Sequence, residues 1–263
     1  MISNITLRGF ILIILAILGG LIFLWLMMCY AVRTVAGMIV FREERSFSRV
    51  PNLPYEQIFV KNSNDESLDF WWLPNPHSHE AILYLHGNSG RLPHFFPPLS
   101  KNYNVLAPSY PGFGLSEGSP TEENVYETAE LAYKWLLKRG FKENQIIIWG
   151  HSLGGSPAIN LAMKYPNRKK LVVVNSFSSM KNISKHRSPF LSVFLDHATF
   201  NSMKDAEKVE GNVVHFCYRH DKTIPFEDGR RLFGSFKTQD KKFFELQGDT
   251  HEFFDVESTL RDY

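Results

Sequence analysis

Hydrophobic positions follow two different patterns along the chain. From Phe10 to Tyr30 the sequence FILIILAILGGLIFLWLMMCY runs for 21 residues without a charge. At about 1.5 Å rise per residue, a helix of this length spans the roughly 30 Å hydrocarbon core of a bilayer. The run therefore predicts an N-terminal transmembrane helix that anchors a single-pass membrane protein.

A cleaved signal peptide is the alternative to an anchor. The run is longer than the roughly 7–15 apolar residues of a signal peptide, and no small-x-small cleavage site follows it. Arg8 precedes the run, whereas Arg33, Arg42, Arg45 and Arg49 follow it. By the positive-inside rule this excess slightly favours a cytoplasmic C-terminal part.

From Tyr55 onward, short apolar runs alternate with longer segments of helical period. This alternation predicts an α/β domain with a mostly parallel eight-stranded sheet and flanking helices. The predicted strands are Gln57–Lys61, Leu68–Leu73, Ala81–His86, Val105–Ser109, Gln145–Trp149, Leu171–Asn175, Val213–Cys217 and Lys242–Leu246.

The clearest helix is predicted to begin at Ser119, with Pro120 as its first helical residue and Glu122 completing a capping box, and to end at Gly140. Its buried face is predicted to contain Val125, Ala129, Ala132 and Leu136. The whole pattern divides the chain into an anchor over residues 1–30, a juxtamembrane linker over 31–54 and one folded domain over 55–263.

Composition narrows the function classes. The 263 residues are 44% hydrophobic and 21% charged, an ordinary globular balance that argues against disorder or a collagen-like repeat. The formal net charge is only +2 and the basic residues are scattered, so no nucleic-acid partner is expected. Two cysteines, Cys29 and Cys217, cannot form a disulfide framework.

The motif Gly150-His151-Ser152-Leu153-Gly154 indicates nucleophilic chemistry. It follows an apolar strand and precedes the helix-like segment Ser156–Tyr165. A serine on such a strand-to-helix turn exposes its hydroxyl, and the next amide points toward a developing oxyanion. Ser152 is therefore the predicted nucleophile; a capping serine at a glycine-rich helix start is the alternative interpretation.

A serine nucleophile needs a base and an acid that orients the base. Asp221 and His251 follow the seventh and eighth predicted strands, so they should meet Ser152 at one edge of the sheet. Each could instead be an ordinary loop residue. Asp249 and Asp255 are close to His251 in sequence and His220 adjoins Asp221, but none occupies the corresponding strand-end position.

The oxyanion would need two backbone N–H donors. Leu153 is one candidate and Asn88, in the turn after the third predicted strand, is the other. His86 and His151 are interpreted as structural partners of these loops rather than acid–base groups. The segment His77–Glu80 lacks a second set of ligands, so no metal and no cofactor are expected.

The ordered motifs resemble the α/β-hydrolase superfamily, and more narrowly its membrane-anchored abhydrolase-domain serine hydrolases, including the fungal bud-emergence-related group. The resemblance covers residue 55 to the C-terminus and implies an α/β-hydrolase fold with a Ser152–Asp221–His251 triad, whose chain order is that of the family. The similar blocks are Trp71–Pro74, His86–Gly90, Tyr110–Gly118, Gly150–Gly155, Asp221–Pro225 and Gly248–His251.

The function predicted from these features is hydrolysis of carboxylic esters or thioesters through an acyl-enzyme, with a lipid or an acylated protein as substrate. The insert Met180–Val209 is short, and its apolar part Pro189–Leu195 is either a minimal lid or a helix packed on the sheet. Two alternatives stay open. One is a serine peptidase of the same fold, and the other is an inactive, membrane-tethered binding protein.

Overall fold

The computed structural model describes residues 7–41, 54–88, 100–187, 200–248 and 251. Its first element is a 34-residue helix, α1 (Leu7–Val40). Within it, Ile11–Ala31 has a mean hydropathy of 2.9 and no buried residues, and it is long and apolar enough to cross a membrane. The helix continues past the predicted end of the anchor at Tyr30, while the division into domains stays a prediction.

The described part contains one eight-stranded sheet in the order β1-β2-β4-β3-β5-β6-β7-β8. β1 pairs antiparallel with β2, and β2 pairs antiparallel with β4, whereas the other neighbours are parallel. The α/β fold and the mostly parallel sheet are thus confirmed. The strands are β1 (Glu56–Lys61), β2 (Ser67–Leu73), β3 (Ala81–Leu85), β4 (Asn104–Pro108), β5 (Ile146–His151), β6 (Lys170–Val174), β7 (Val213–Tyr218) and β8 (Lys241–Leu246).

Apolar side chains fill both faces of the central strands. In β5, Ile146 and Ile148 belong to a cluster that includes residues of the flanking helices, while Ile147 and Trp149 belong to a second cluster on the opposite face. This alternation follows from the two-residue period of a strand. The described helices that follow β4 are α2 (Glu122–Lys138), α3 (Gly155–Lys164), α4 (Met180–Arg187), α5 (Ser202–Ala206) and α6 (Phe226–Ser235).

Helix α2 begins two residues later than predicted, because its first helical residue is Glu122 and not Pro120. The Thr121 hydroxyl accepts a hydrogen bond from the Asn124 N–H (3.2 Å), and the Asn124 side-chain oxygen accepts one from the Thr121 N–H (2.7 Å). This capping box leaves Ser119 outside the helix, where its carbonyl accepts a bond from the Asn124 amide (2.7 Å). The predicted buried face is confirmed: Val125, Ala129, Ala132 and Leu136 are all buried.

The end of α1 packs against the folded part of the chain. Phe41, the residue after α1, is only 8% exposed. Its ring contacts the ring of Phe200 edge-on, with centroids 5.7 Å apart, and Phe200 in turn contacts Tyr126 of α2 at 5.8 Å. The contact connects the apolar N-terminal helix to the start of α5.

The described residues before and after the undescribed part of the insert bond to neighbouring helices. At the first end, Ser178 donates its N–H and its hydroxyl to Asp228 of α6, at 2.8 and 2.6 Å. At the second, the Ser202 hydroxyl bonds that of Ser156 in α3 at 3.0 Å. The segment Pro189–Leu195, predicted as a lid or a packed helix, lies outside the described residues.

Candidate active site

Ser152 lies immediately after β5, at the edge where the parallel strands end. Its φ of 52° is in the left-handed region, which few non-glycine residues adopt. A Cβ at Gly154 would overlap the carbonyl oxygen of Leu85, and one at Gly150 would overlap that of Gly154. Close backbone approach therefore explains the glycines on either side of the serine, and the turn that results is the one expected of a nucleophile.

The structure brings Ser152, His251 and Asp221 together in a hydrogen-bonded chain. The Ser152 hydroxyl donates to Nε2 of His251 at 2.8 Å, and Nδ1–H of His251 donates to the Asp221 carboxylate at 2.6 Å. The other carboxylate oxygen accepts the N–H groups of Thr223 (2.6 Å) and Ile224 (3.1 Å). The carboxylate side chain is only 2% exposed, so it is held in one orientation facing the imidazole.

The alternative acid and base residues have different positions. His220 uses its backbone N–H to bond the carbonyl of Gly248 at 3.1 Å, next to the loop that carries His251. Asp249 and Asp255 lie outside the described residues. Asp221 is thus the described carboxylate that bonds His251, and its role as catalytic acid stays a proposal.

The loop after β3 lies directly against Ser152. A Cβ at Gly87 would lie 3.1 Å from the Cβ of Ser152, a distance that leaves little room for any residue other than glycine. Asn88 is the next residue, and Leu153 is the middle residue of the helical turn Ser152–Gly154. The assignment of the Asn88 and Leu153 amides as oxyanion donors stays a proposal.

Two buried histidines support this edge of the sheet. Nδ1–H of His86 donates to the carbonyl of Gly87 at 2.7 Å, and Nε2–H of His151 donates to the carbonyl of His251 at 2.9 Å. Burial lowers the pKa of each to about 4, so both rings are neutral at pH 7. These bonds are consistent with a structural role for both residues.

The stability of the folded protein should fall as the pH is lowered from 6.5 to 4. Burial also lowers the pKa of His215 to about 3, so with His86 and His151 three histidines stay neutral when folded but protonate near pH 6.5 when unfolded. The unfolded chain therefore binds more protons as the pH falls through this window. The free energy of unfolding should drop on the order of 4 kcal/mol per pH unit near pH 5.

Guanidinium unfolding of the detergent-solubilised protein at pH 7, 6 and 5 measures this slope. His215→Gln removes one of the three titrating groups without changing a residue that bonds Ser152 or His251. It should reduce the slope of unfolding free energy against pH by about a third. A variant slope equal to that of the wild type would contradict the assignment of His215 as a buried neutral histidine.

Sequence reasoning gave no role to Asn175 and Ser176. The Asn175 amide donates to the carbonyl of His251 at 2.9 Å, and the Ser176 hydroxyl donates to the carbonyl of Ser152 at 2.9 Å. Two consecutive polar residues at the end of an apolar strand were the available signal. That signal is weak because strand ends are commonly polar.

No group of three or more His, Cys, Asp or Glu side chains that could hold a metal ion occurs within the residues that the structure describes. In the segment predicted not to bind metal, the N–H of His77 bonds the Asn75 side chain at 2.9 Å. The expectation that the reaction needs no metal or cofactor stays a prediction.

Comparison with known proteins identifies similar chains. Residues 80–254 match the model of the α/β-hydrolase-fold family. Protein bem46 of Schizosaccharomyces pombe is 28% identical over 214 residues, which cover 76% of this chain and 72% of that protein. The lysophosphatidylserine lipase ABHD12 of Danio rerio is 30% identical over 210 residues, which cover 70% of this chain and 53% of the lipase. The chain therefore matches about half the length of the lipase.

A solved structure has the same fold. The α/β-hydrolase from Vibrio vulnificus superposes with a TM-score of 0.70 at 18% sequence identity, over 87% of this chain and 90% of that one. At this identity the likeness concerns the fold alone.

Proposed function

Since this chain belongs to the α/β-hydrolase family, we propose that it is a serine hydrolase that cleaves carboxylic esters or thioesters through an acyl-enzyme on Ser152. One observation carries the proposal: the hydrogen-bonded chain from Ser152 through His251 to Asp221, at 2.8 and 2.6 Å. A weakly nucleophilic hydroxyl becomes reactive when a positioned base accepts its proton.

The proposed reaction begins when Nε2 of His251 takes the Ser152 proton as the serine oxygen attacks the substrate carbonyl carbon. The amides of Asn88 and Leu153 stabilise the oxyanion, and Asp221 stabilises the imidazolium. The imidazolium then protonates the leaving alcohol or thiol. A water attacks the acyl-enzyme, gives its proton to His251 and releases the acid, after which the proton returns to Ser152.

Activity-based labelling tests the proposal directly. A tagged fluorophosphonate, applied to membranes that contain the full-length protein, should form a covalent phosphonyl adduct with loss of fluoride. Peptide mass spectrometry should find the adduct on Ser152. An unlabelled protein, or an adduct on another serine, would contradict the proposal.

The proposed substrates are amphipathic molecules at a membrane surface, such as lysophospholipids, monoacylglycerols or acylated proteins. Two observations support this part. The segment Ile11–Ala31 has the length and hydropathy of a membrane span, which supports a single-pass anchor. The similar protein from Danio rerio is a lysophosphatidylserine lipase.

Activity should increase with acyl-chain length. Burial of even two of the eight methylenes that separate C4 from C12 p-nitrophenyl esters, at about 0.8 kcal/mol each, should raise kcat/KM more than about tenfold. The assay uses full-length protein in mixed micelles, with Ser152→Ala in the same micelles as the blank. If kcat/KM did not change with acyl-chain length and was no higher for detergent-dispersed lysophospholipids, a lipid substrate would be contradicted. Release of amines from amide substrates would favour a peptidase.

A further inference from the structure

The main chain of His251 is held by two buried side chains that belong neither to the proposed triad nor to the proposed oxyanion donors. The His251 carbonyl accepts hydrogen bonds from Nε2–H of His151 and from the side-chain amide of Asn175, both at 2.9 Å. His151 is 6% exposed and Asn175 is 2% exposed. Because both donors are shielded from water, each bond has a fixed geometry.

Asn175 is oriented by its own contacts. Its side-chain oxygen accepts the N–H of Tyr218 at 3.0 Å, so its amide nitrogen must face the His251 carbonyl. Its backbone N–H donates to the carbonyl of Phe216 at 2.9 Å, and its φ of 45° lies in the left-handed region that asparagine tolerates. Since Tyr218 ends β7 three residues before Asp221, Asn175 connects the strand of the proposed acid to the loop of the proposed base.

His151 connects the base to the nucleophile. It is the last residue of β5, directly before Ser152, and its ring lies 5.2 Å from the ring of His251 between centroids. Burial lowers its pKa to about 4, and the positive charge that His251 would carry contributes in the same direction. A neutral His151 donates one N–H to the carbonyl without placing a second cation beside the imidazolium that the reaction forms.

We propose that His151 and Asn175 are positioning residues that hold the main chain of His251 and so fix the imidazole between Ser152 and Asp221. The inference rests on the proposed function. A single hydrogen bond contributes only about 0.5–1.5 kcal/mol to stability, but a misplacement of about 1 Å in a catalytic group costs on the order of 100-fold in rate. Loss of either donor should therefore lower kcat about 10- to 100-fold and change KM less than about threefold.

Variants that preserve the backbone test Asn175. Aspartate and glycine both tolerate its left-handed conformation, so Asn175→Asp and Asn175→Gly should fold. The first keeps the acceptor for Tyr218 and adds a charge, whereas the second removes the side chain. Because they share only the loss of the N–H donor to His251, both should lower kcat and the rate of fluorophosphonate inactivation. Wild-type kcat in both variants would overturn the role of Asn175.

Rescue by a conservative variant tests His151. The side-chain amide of His151→Gln can donate from about the position of Nε2–H and should retain most of the wild-type kcat, whereas His151→Ala should lose about 10- to 100-fold. Equal kcat in the two variants would overturn the role of this hydrogen bond. His215→Gln is the matched control, because His215 is also buried but bonds Cys217 at 3.4 Å and not His251. Under conditions in which this variant is folded, its kcat should equal the wild-type value.

The same assays separate this inference from the proposed function. If Ser152→Ala is inactive while folded His151 and Asn175 variants keep the wild-type kcat, the positioning role fails and the serine hydrolase stands. If Ser152→Ala keeps its activity, the proposed function fails and the inference with it. The thermal unfolding curve of each variant shows at which temperatures it is folded, and kcat values are compared at those temperatures.

Discussion

Ser152→Ala should lower kcat/KM for the best ester substrate on the order of 10⁶-fold, the size of loss expected when the nucleophile of a serine–histidine pair is removed. The reason is local. The hydroxyl is the group that Nε2 of His251 bonds at 2.8 Å, and the turn at φ 52° presents it at the edge of the sheet. Initial-rate kinetics on detergent-solubilised, full-length protein measure the effect.

The variant should remain folded, because alanine occupies less space than serine and keeps the Cβ that lies against Gly87. Ser235→Ala is the matched control. Its hydroxyl is also buried in the fold, but it bonds the carbonyl of Arg231 at 3.2 Å within α6, so activity should be unchanged. If Ser152→Ala retained more than about 1% of the wild-type rate, an acyl-enzyme on this serine would be excluded.

Asp221→Asn should lower kcat about 10⁴-fold. One carboxylate oxygen accepts N–H bonds from Thr223 and Ile224, so the side-chain oxygen of asparagine would stay there and its NH₂ group would face Nδ1 of His251. Two N–H donors cannot bond each other, so the imidazole would place its proton on Nε2 and could no longer accept the proton of Ser152. Single-turnover kinetics should locate the loss in the acylation step.

Asp249→Asn provides the comparison, since Asp249 is close to His251 in the chain. We expect it to change kcat less than about tenfold, because solvent and salt weaken the effect of a charge that makes no direct bond to His251. A loss for Asp249→Asn comparable to that for Asp221→Asn would move the proposed acid from the segment after β7 to the segment after β8. Circular dichroism of both variants distinguishes lost chemistry from lost structure.

The sequence was sufficient to predict the sheet and the three residues of the hydrogen-bonded chain. All eight strands are present, and the largest shift of an end is at β5, which extends to His151 instead of Trp149. The sheet was predictable because buried parallel strands are continuous apolar runs, and the three residues meet because polar residues after such runs lie at one edge. Their catalytic roles stay predictions. The glycine spacing around Ser152 reflects backbone contacts that no larger residue permits.

Other features depend on distant contacts that local pattern does not encode. Ser119 with Glu122 and Thr121 with Asn124 are both plausible capping pairs, and only the backbone path decides for the second. Likewise, the bond from Asn175 to His251 joins residues 76 positions apart through a backbone carbonyl. Every residue has such a carbonyl, so no side-chain pattern could have predicted which one Asn175 contacts.

The contact between Phe41 and Phe200 has a kinetic consequence if α1 crosses a bilayer as proposed. Helix α1 ends nine residues after Ala31, so at about 1.5 Å per residue the folded part attaches about 13 Å beyond the span. A helix that ends in a packed aromatic pair cannot swing as a flexible tether does. The hydrolase would then search a thin layer above its own membrane, and its rate would depend on the mole fraction of substrate among the surrounding lipids, not on the bulk concentration.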